Sequence, residues 1–315
     1  MTTPKRVVVF GATGFVGAEV ARALKNHRAV VVPITTPRLS YASVEDASYI
    51  LRGLGDDVEG LAHQLQGADC VVNAAGMADP AGADEGSLTA ANGIVPGYLA
   101  MAAAKAEVPR FVHVSSTAVQ GRTRVLDSSP SMAPFSPYSR SKALGELLAR
   151  QGHPGAVSYR PPGVHGADRR VSQLTARIAR SPMSSVARPG SSPSPQALLT
   201  NVADAIAFLA TTEQQPPPIV AHPAEGLTTA SFLTFLGGRQ PIEIPRALAR
   251  AMLVILIAVG TLVPRMAANA RRVEMMWFGQ SQAPSWLTQA GWSPPAHVEA
   301  WRELGRVIGC EGGTS

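Results

Sequence analysis

Short runs of β-branched residues alternate with longer helical stretches over the first two-thirds of the chain. This alternation is typical of parallel strands joined by crossover helices. Because the runs barely alternate between apolar and polar residues, they predict strands buried on both faces. We expect the strands at Arg6–Phe10, Ala29–Ile34, Cys70–Asn73, Arg110–Ser115 and Ala156–Arg160. We expect the helices at about Val16–Lys25, Gly60–Leu65, Ile94–Ala106, Tyr138–Gln151 and Val202–Ala210.

The predicted fold class is α/β, a doubly wound parallel sheet with a smaller C-terminal lobe. The segment Ser40–Asp57 fits either a capped helix or a strand. Farther on, Ser181–Pro195 is rich in Ser and Pro, and three prolines follow Gln215. This change in composition predicts two domains. The first is a sheet domain at 1–162, to which 196–222 returns, and the second is a lobe made of 163–195 and 223–315.

Composition excludes several classes of protein. The 315 residues are 45% apolar and 16% charged, so the chain can bury a large core. The net charge of +6 comes mostly from scattered arginines, which argues against a nucleic-acid groove. Cys70 and Cys310 have neither the number nor the spacing of a disulfide framework or a metal site, so we expect no metal. No long apolar run follows Met1, which favours a cytoplasmic protein.

An apolar run, Ala251–Val263, stands out near the C-terminus. As a helix it would be about 20 Å long, against roughly 30 Å for the hydrocarbon core of a bilayer, so it is too short to span. A buried or dimer-forming helix is the favoured interpretation. The alternative is peripheral membrane contact through 246–272, because arginines flank the run as anionic lipid requires. These are Arg246, Arg250, Arg265, Arg271 and Arg272.

Three glycines follow the first strand and precede the first helix, in the sequence Gly11-Ala-Thr13-Gly14-Phe15-Val16-Gly17. Glycines at this spacing let the turn pack tightly, while exposed N–H groups at the helix start can face a diphosphate. The motif therefore predicts a Rossmann-type dinucleotide site that includes Thr13, Phe15 and Val16.

The second strand ends without the acidic residue that usually holds a free ribose 2′-hydroxyl. Instead the chain continues Thr35-Thr36-Pro37-Arg38. A hydroxyl and a guanidinium suit a 2′-phosphate, so we favour NADP over NAD.

Tyr138 and Lys142 lie one helical turn apart, so both side chains leave the same face. A free phenol has a pKa of about 10 and is a poor base at neutral pH. An ammonium about 4 Å away, at an effective dielectric near 20, contributes about 4 kcal/mol, or about three pKa units. Such a pair predicts a tyrosine that exchanges a proton with a substrate hydroxyl or carbonyl.

Further motifs follow in order: Val71-Val-Asn73-Ala74-Ala75-Gly76, Asn92, Phe111-Val-His-Val-Ser115-Ser116, Pro137-Tyr138, Lys142, Glu146 and Arg160-Pro161-Pro-Gly163-Val164-His-Gly166. Together with the glycine motif, they resemble the extended short-chain dehydrogenase/reductases, the family of NAD-dependent epimerases and dehydratases. A branch similar to the 3β-hydroxysteroid dehydrogenases is one option.

This resemblance implies the role of each residue. Ser116 would polarise the reacting oxygen, with Ser115 as the fallback, while Tyr138 acts as acid and base and Lys142 holds the nicotinamide ribose. Asn92 would support a water or a backbone kink near the active-site helix. The cofactor would be lined by Asn73, Ala74, Ala75, Ser115, Pro161, Gly163 and Val164. The helix Tyr138–Gln151 commonly forms a dimer in relatives, so a homodimer is expected.

The sequence departs from the family pattern at several positions, and these departures reduce the number of reactions that the chain could catalyse. Sugar-nucleotide 4,6-dehydratases carry an acidic pair after the strand-end serine, where this chain has Thr117-Ala118, so dehydration has no evident proton donor. Uridine-sugar epimerases usually have Asn where this chain has Gly163. Leu54 stands where the family commonly has the Asp that contacts adenine.

Three functions therefore remain open. The first is a dehydrogenase or reductase that interconverts a secondary alcohol and a ketone. The aromatic residues near the apolar C-terminal segment would suit a lipophilic substrate. The second is a nucleotide-sugar epimerase that retains NAD. The third is a non-catalytic dinucleotide-binding protein, a role that this fold adopts when active residues are lost.

Overall fold

A computed structural model describes residues 3–39, 58–78, 84–262 and 264–311. Its centre is a parallel sheet of six strands in the order β10-β6-β4-β3-β1-β2. These strands are β1 (Arg6–Phe10), β2 (Val30–Ile34), β3 (Cys70–Asn73), β4 (Phe111–Val114), β6 (Ala156–Arg160) and β10 (Ile219–Ala221). The Rossmann-type α/β class is thus confirmed.

The shorter strands form three two-stranded sheets outside the central one. They are β5 (Val125–Leu126), β7 (Gly163–His165), β8 (Ser185–Ala187), β9 (Gln196–Leu198), β11 (Ile242–Ile244) and β12 (Ser281–Gln282).

The helices of the first 220 residues are α1 (Phe15–Asn26), α2 (Val58–Leu65), α3 (Glu85–Thr89), α4 (Val95–Lys105), α5 (Pro137–Gly152), α6 (Arg170–Arg180) and α7 (Leu199–Thr211). A π-helical turn, Ala90–Ile94, joins α3 to α4, and a 3₁₀ turn covers Thr117–Gln120. The later helices are α8 (Thr229–Gly237), α9 (Arg246–Leu262), α10 (Pro264–Phe278), α11 (Trp286–Gln289) and α12 (Val298–Glu311).

Successive residues of the central strands point to opposite faces of the sheet and pack into two separate hydrophobic cores. Val7 and Val9 pack with α1 and α7 on one face of the sheet, whereas Val8 and Phe10 pack with α2, α4 and α5 on the other. Helices on both faces explain why these strands are continuous apolar runs. The edge strand β2 is the exception, because β1 is its one sheet neighbour among the described residues and Val30 remains half exposed. The prediction that all five strands are fully buried was therefore wrong for β2.

A third core lies away from the sheet and contains Val186, Leu233 and Trp301. Helices α6, α8 and α12 supply most of it. It draws mainly on the segments that the sequence assigned to the smaller lobe, and the domain division itself stays a prediction. The strand β10 belongs to the returning segment and pairs with β6 at the edge of the sheet.

Candidate active site

The glycine loop, residues 11–17, connects the carboxyl end of β1 to the start of α1. Helix α1 begins after Gly14, which provides no side-chain cap, and its first turn contains no acidic residue. The uncapped N–H groups and the positive end of the helix dipole favour an anion at this point.

Two glycines of this loop have no room for a side chain. A Cβ atom on Gly17 would lie 2.0 Å from the carbonyl oxygen of Gly11. A Cβ on Gly11, where φ is +77°, would lie 2.6 Å from the backbone nitrogen of Ala75. The loop therefore packs directly on the chain that leaves β3, and this brings the predicted cofactor residues Ala74 and Ala75 against it. The residues present fit a bound dinucleotide diphosphate.

Helix α5 carries Tyr138 and Lys142 at the same edge of the sheet. It begins at Pro137 and is fixed by a capping box between Ser136 and Ser139. The Lys142 ammonium is buried and donates to the carbonyl oxygen of Val114, at the end of β4, over 3.0 Å. Burial lowers the pKa of Lys142 to about 8, and the charge of Glu146 partly opposes this. Lys142 therefore remains mostly charged at neutral pH.

Tyr138 is half-buried and interacts electrostatically with Arg169, a residue that sequence reasoning did not select. Burial lowers the pKa of Arg169, and the charge of a Tyr138 phenolate partly opposes this shift. The same guanidinium stacks 5.1 Å from the ring centre of Phe15 in the glycine loop and donates to the carbonyl oxygen of Val164. Arg169 therefore contacts the glycine loop and lies within electrostatic range of Tyr138.

Asn92 lies in the π-helical turn and fixes the chain beside Lys142. Its Oδ1 accepts from the N–H of Met77 at 2.8 Å, and its Nδ2 donates to Met77 O and to Ser141 Oγ. A Cβ on Gly76 would lie 2.7 Å from Asn92 Oδ1 and 3.1 Å from Lys142 Nζ. Asn92 therefore positions the segment after β3 against α5, and the backbone at this residue departs from α-helical geometry.

The two adjacent serines have different surroundings. Ser115 is buried, and its hydroxyl donates to Glu146 Oε1 over 2.5 Å. Ser116 is half-buried and caps the 3₁₀ turn by accepting from the N–H of Ala118. This leaves the Ser116 hydroxyl proton available to a reacting oxygen, whereas that of Ser115 already has an acceptor. The geometry therefore favours Ser116 over the fallback.

Sequence reasoning also missed a buried ion pair behind the site. The guanidinium of Arg160 binds the carboxylate of Glu146 through two contacts of 2.8 Å, and neither side chain is exposed. The spacing of four residues puts Glu146 on the same helix face as Lys142, but no local pattern points to Arg160 as its partner.

The remaining predicted residues are spread around the same edge. Asn73 Oδ1 accepts from Ala75 N and so shapes the turn after β3. Pro161 and Val164 are buried, and Gly163 is exposed. Arg38 is exposed four residues beyond β2. Leu54, which stands where the family commonly has the Asp that contacts adenine, lies outside the described residues.

Two histidines have structural surroundings. His113 is fully buried in β4, and burial lowers its pKa well below the usual value. His165 packs edge-on against Phe232 and beside Trp301 in the third core, where burial lowers its pKa to about 4.

Comparison with protein-family models decides the family. The model of the NAD dependent epimerase/dehydratase family matches residues 7–218, more than half of the chain. The chain belongs to this family. This match confirms the predicted extended short-chain dehydrogenase/reductase class, the family of NAD-dependent epimerases and dehydratases. No curated protein matches the sequence.

Solved structures with the same fold span the whole chain. UDP-glucuronic acid 4-epimerase from Bacillus cereus, in complex with NAD, is 17% identical, with a TM-score of 0.65 over 97% of this chain and 99% of that one. dTDP-4-dehydrorhamnose reductase from Bacillus anthracis, in complex with NADP, is 15% identical, with a TM-score of 0.62 over 98% of this chain and 100% of that one. A putative epimerase from Burkholderia cenocepacia is 18% identical, with a TM-score of 0.60 over 98% and 99%. At these identities, the likeness establishes the fold alone.

Proposed function

We propose that this protein interconverts a secondary alcohol and a ketone with NAD(P) as the hydride carrier and Tyr138 as the acid/base. One observation carries the proposal: the Lys142 ammonium is buried at the end of β4, one helical turn after Tyr138. It lies beside Gly76, in the segment after β3 on which the glycine loop packs. The reaction needs an anion-binding loop and a proton donor at one edge of a sheet, and both are available here.

A nicotinamide dinucleotide held at the glycine loop would supply hydride transfer. In the direction of reduction, the Tyr138 hydroxyl gives its proton to the carbonyl oxygen, and in oxidation the phenolate takes that proton back. The Lys142 ammonium favours the phenolate by Coulomb attraction and is itself fixed by Val114. The Ser116 hydroxyl donates a hydrogen bond to the same oxygen and so polarises the carbonyl.

Net elimination of water lacks a proton donor at the position where dehydratases have one. Thr117 and Ala118 form the start of the 3₁₀ turn that follows Ser116, and neither is acidic. An oxidoreductase without dehydration is therefore the simpler assignment. Arg38, exposed beyond β2, supports NADP as the preferred cofactor.

An epimerase with retained NAD is the second candidate. It is supported by full-length similarity to UDP-glucuronic acid 4-epimerase, because the serine, tyrosine and lysine of this chain would serve both reactions. The sequence feature that disfavours it is Gly163, where uridine-sugar epimerases usually have Asn.

Mass spectrometry of small molecules released by denaturing the purified protein distinguishes the two. The proposal expects little retained dinucleotide, together with net consumption of added NADPH in the presence of a panel of ketones. The Gly17→Ala variant, with its cofactor loop blocked, controls for reductases of the expression host. Retained NAD at close to one molecule per chain, with no net turnover of added NADPH or NADH, would overturn the proposal in favour of the epimerase.

A further inference from the structure

Helix α9 presents apolar side chains to solvent. Of residues 246–258, Ala249 and Leu253 are buried and positions 256 and 257 are partly buried, whereas the other nine are exposed. Seven of these nine residues are apolar, and the other two are arginines. The largest have exposed fractions of 52% (Leu248), 43% (Met252), 65% (Val254) and 63% (Ile255). We call these four residues the apolar face of α9.

Such a face is unusual for a helix on a protein surface. An amphipathic helix normally buries its apolar stripe and exposes its charged residues. Here the buried side is narrow and the exposed side is itself aliphatic, so the helix lacks the polar surface that water would favour. Contiguous exposed apolar patches of this kind mark sites of contact with proteins or membranes.

The charge around the apolar face selects between these partners. Residues 244–273 contain five arginines, no lysine and no acidic residue. Arg246 and Arg250 are both exposed on α9 itself. Glu243 and Glu274 lie just outside this range, and Arg271 pairs with Glu274, so the exposed charges on α9 are Arg246 and Arg250. Two exposed arginines beside an aliphatic surface complement the anionic headgroups and acyl chains of a lipid leaflet.

The dimensions require a helix that lies on the membrane rather than one that crosses it. Helix α9 has 17 residues, or about 25 Å, and Pro264 starts α10 two residues later. Among the described residues, no helix is long and apolar enough to span a bilayer.

The helix pair α9–α10 is also fixed to the body of the enzyme. Arg271 of α10 donates to the carbonyl oxygen of Gly121, and Arg122 forms an ion pair with Glu274. Gly121 ends the 3₁₀ turn that begins after Ser116. The base of the pair therefore contacts the segment that follows the reacting serine.

We propose that the apolar face of α9 binds an anionic membrane surface, with its aliphatic side chains among the acyl chains and Arg246 and Arg250 on the headgroups. This proposal concerns where the enzyme works and does not depend on which of the two reactions it catalyses.

Co-flotation of the full chain with vesicles tests the proposal. We expect binding to vesicles of phosphatidylglycerol and phosphatidylcholine in equal parts, and binding at least about tenfold weaker to phosphatidylcholine alone. The double variant Val254→Gln/Ile255→Gln should bind the anionic vesicles about 10–100-fold more weakly. Arg250→Gln should lose about fivefold. Because these side chains are exposed, far-ultraviolet circular dichroism and thermal unfolding should not change.

Leu174→Gln provides the matched control, since Leu174 is a similarly exposed aliphatic residue on α6 and its replacement should leave vesicle binding unchanged. Equal recovery of wild type and Val254→Gln/Ile255→Gln with anionic vesicles would overturn the proposal. So would a wild type that fails to float but forms a dimer in sedimentation velocity, if the double variant is monomeric. That result would assign the apolar face to a second copy of the chain.

Discussion

Replacing Glu146 by glutamine should destabilise the fold by about 3–5 kcal/mol, the cost of breaking a buried ion pair from one side. The carboxylate receives two hydrogen bonds of 2.8 Å from Arg160, and both side chains are fully buried. A glutamine keeps one acceptor oxygen but turns an NH₂ group towards the guanidinium, so the charge of Arg160 stays buried without compensation. Because domains are stable by about 5–15 kcal/mol, this loss is a large share of the total.

Urea denaturation followed by circular dichroism measures the effect, and Glu85→Gln is the matched control. Glu85 pairs with Arg140 of α5 at 2.8 Å, but both of those side chains are about half exposed. Its replacement should cost no more than about 1 kcal/mol. If Glu146→Gln also cost under about 1 kcal/mol, the pair would not hold the end of β6 against α5, and this explanation of the site's support would be refuted.

Three further predictions follow from single positions. Gly17→Ala should weaken NADPH binding more than about tenfold in a fluorescence titration, because the new Cβ would lie 2.0 Å from a backbone oxygen. The control is Gly60→Ala, whose Cβ would have no atom within 4 Å, and this variant should bind NADPH normally. Dinucleotide affinity should fall as pH rises through about 8, because the buried Lys142 ammonium then loses its proton. A dissociation constant that stays constant from about pH 6 to about pH 10 would contradict a role of the Lys142 charge in binding the dinucleotide. Burial raises the pKa of Cys70 to about 12, whereas Cys310 is exposed. A thiol reagent should therefore modify one cysteine in the native protein and two in denaturant. Two rapid reactions in the native state would contradict the burial of Cys70.

Local sequence patterns predicted the sheet well. The strands at Arg6–Phe10, Cys70–Asn73 and Ala156–Arg160 match to the residue, because short runs without regular polar alternation are typical of strands buried on both faces. The sixth strand was not predicted as a strand. Ile219–Ala221 has three residues after a run of prolines, which is too short for periodicity to register.

The site was predictable where it depends on one helix or one loop. The spacing of Tyr138 and Lys142, and that of the glycines, is visible within a few residues of sequence. Arg160 and Arg169 contribute to the site through interactions with residues that are distant in the sequence. No local sequence pattern predicts such pairs. Dimer formation and localisation stay predictions, since they depend on surfaces rather than on the fold.

The central claim is that Tyr138 carries the proton for a reaction at a dinucleotide bound by the glycine loop. Single-turnover hydride transfer by Tyr138→Phe, measured at saturating cofactor and alongside the cofactor dissociation constant, tests it most directly. We expect affinity for the dinucleotide within about threefold of wild type, and a transfer rate reduced by about 10²–10⁴. A Tyr138→Phe variant that transfers hydride at the wild-type rate would contradict the claim.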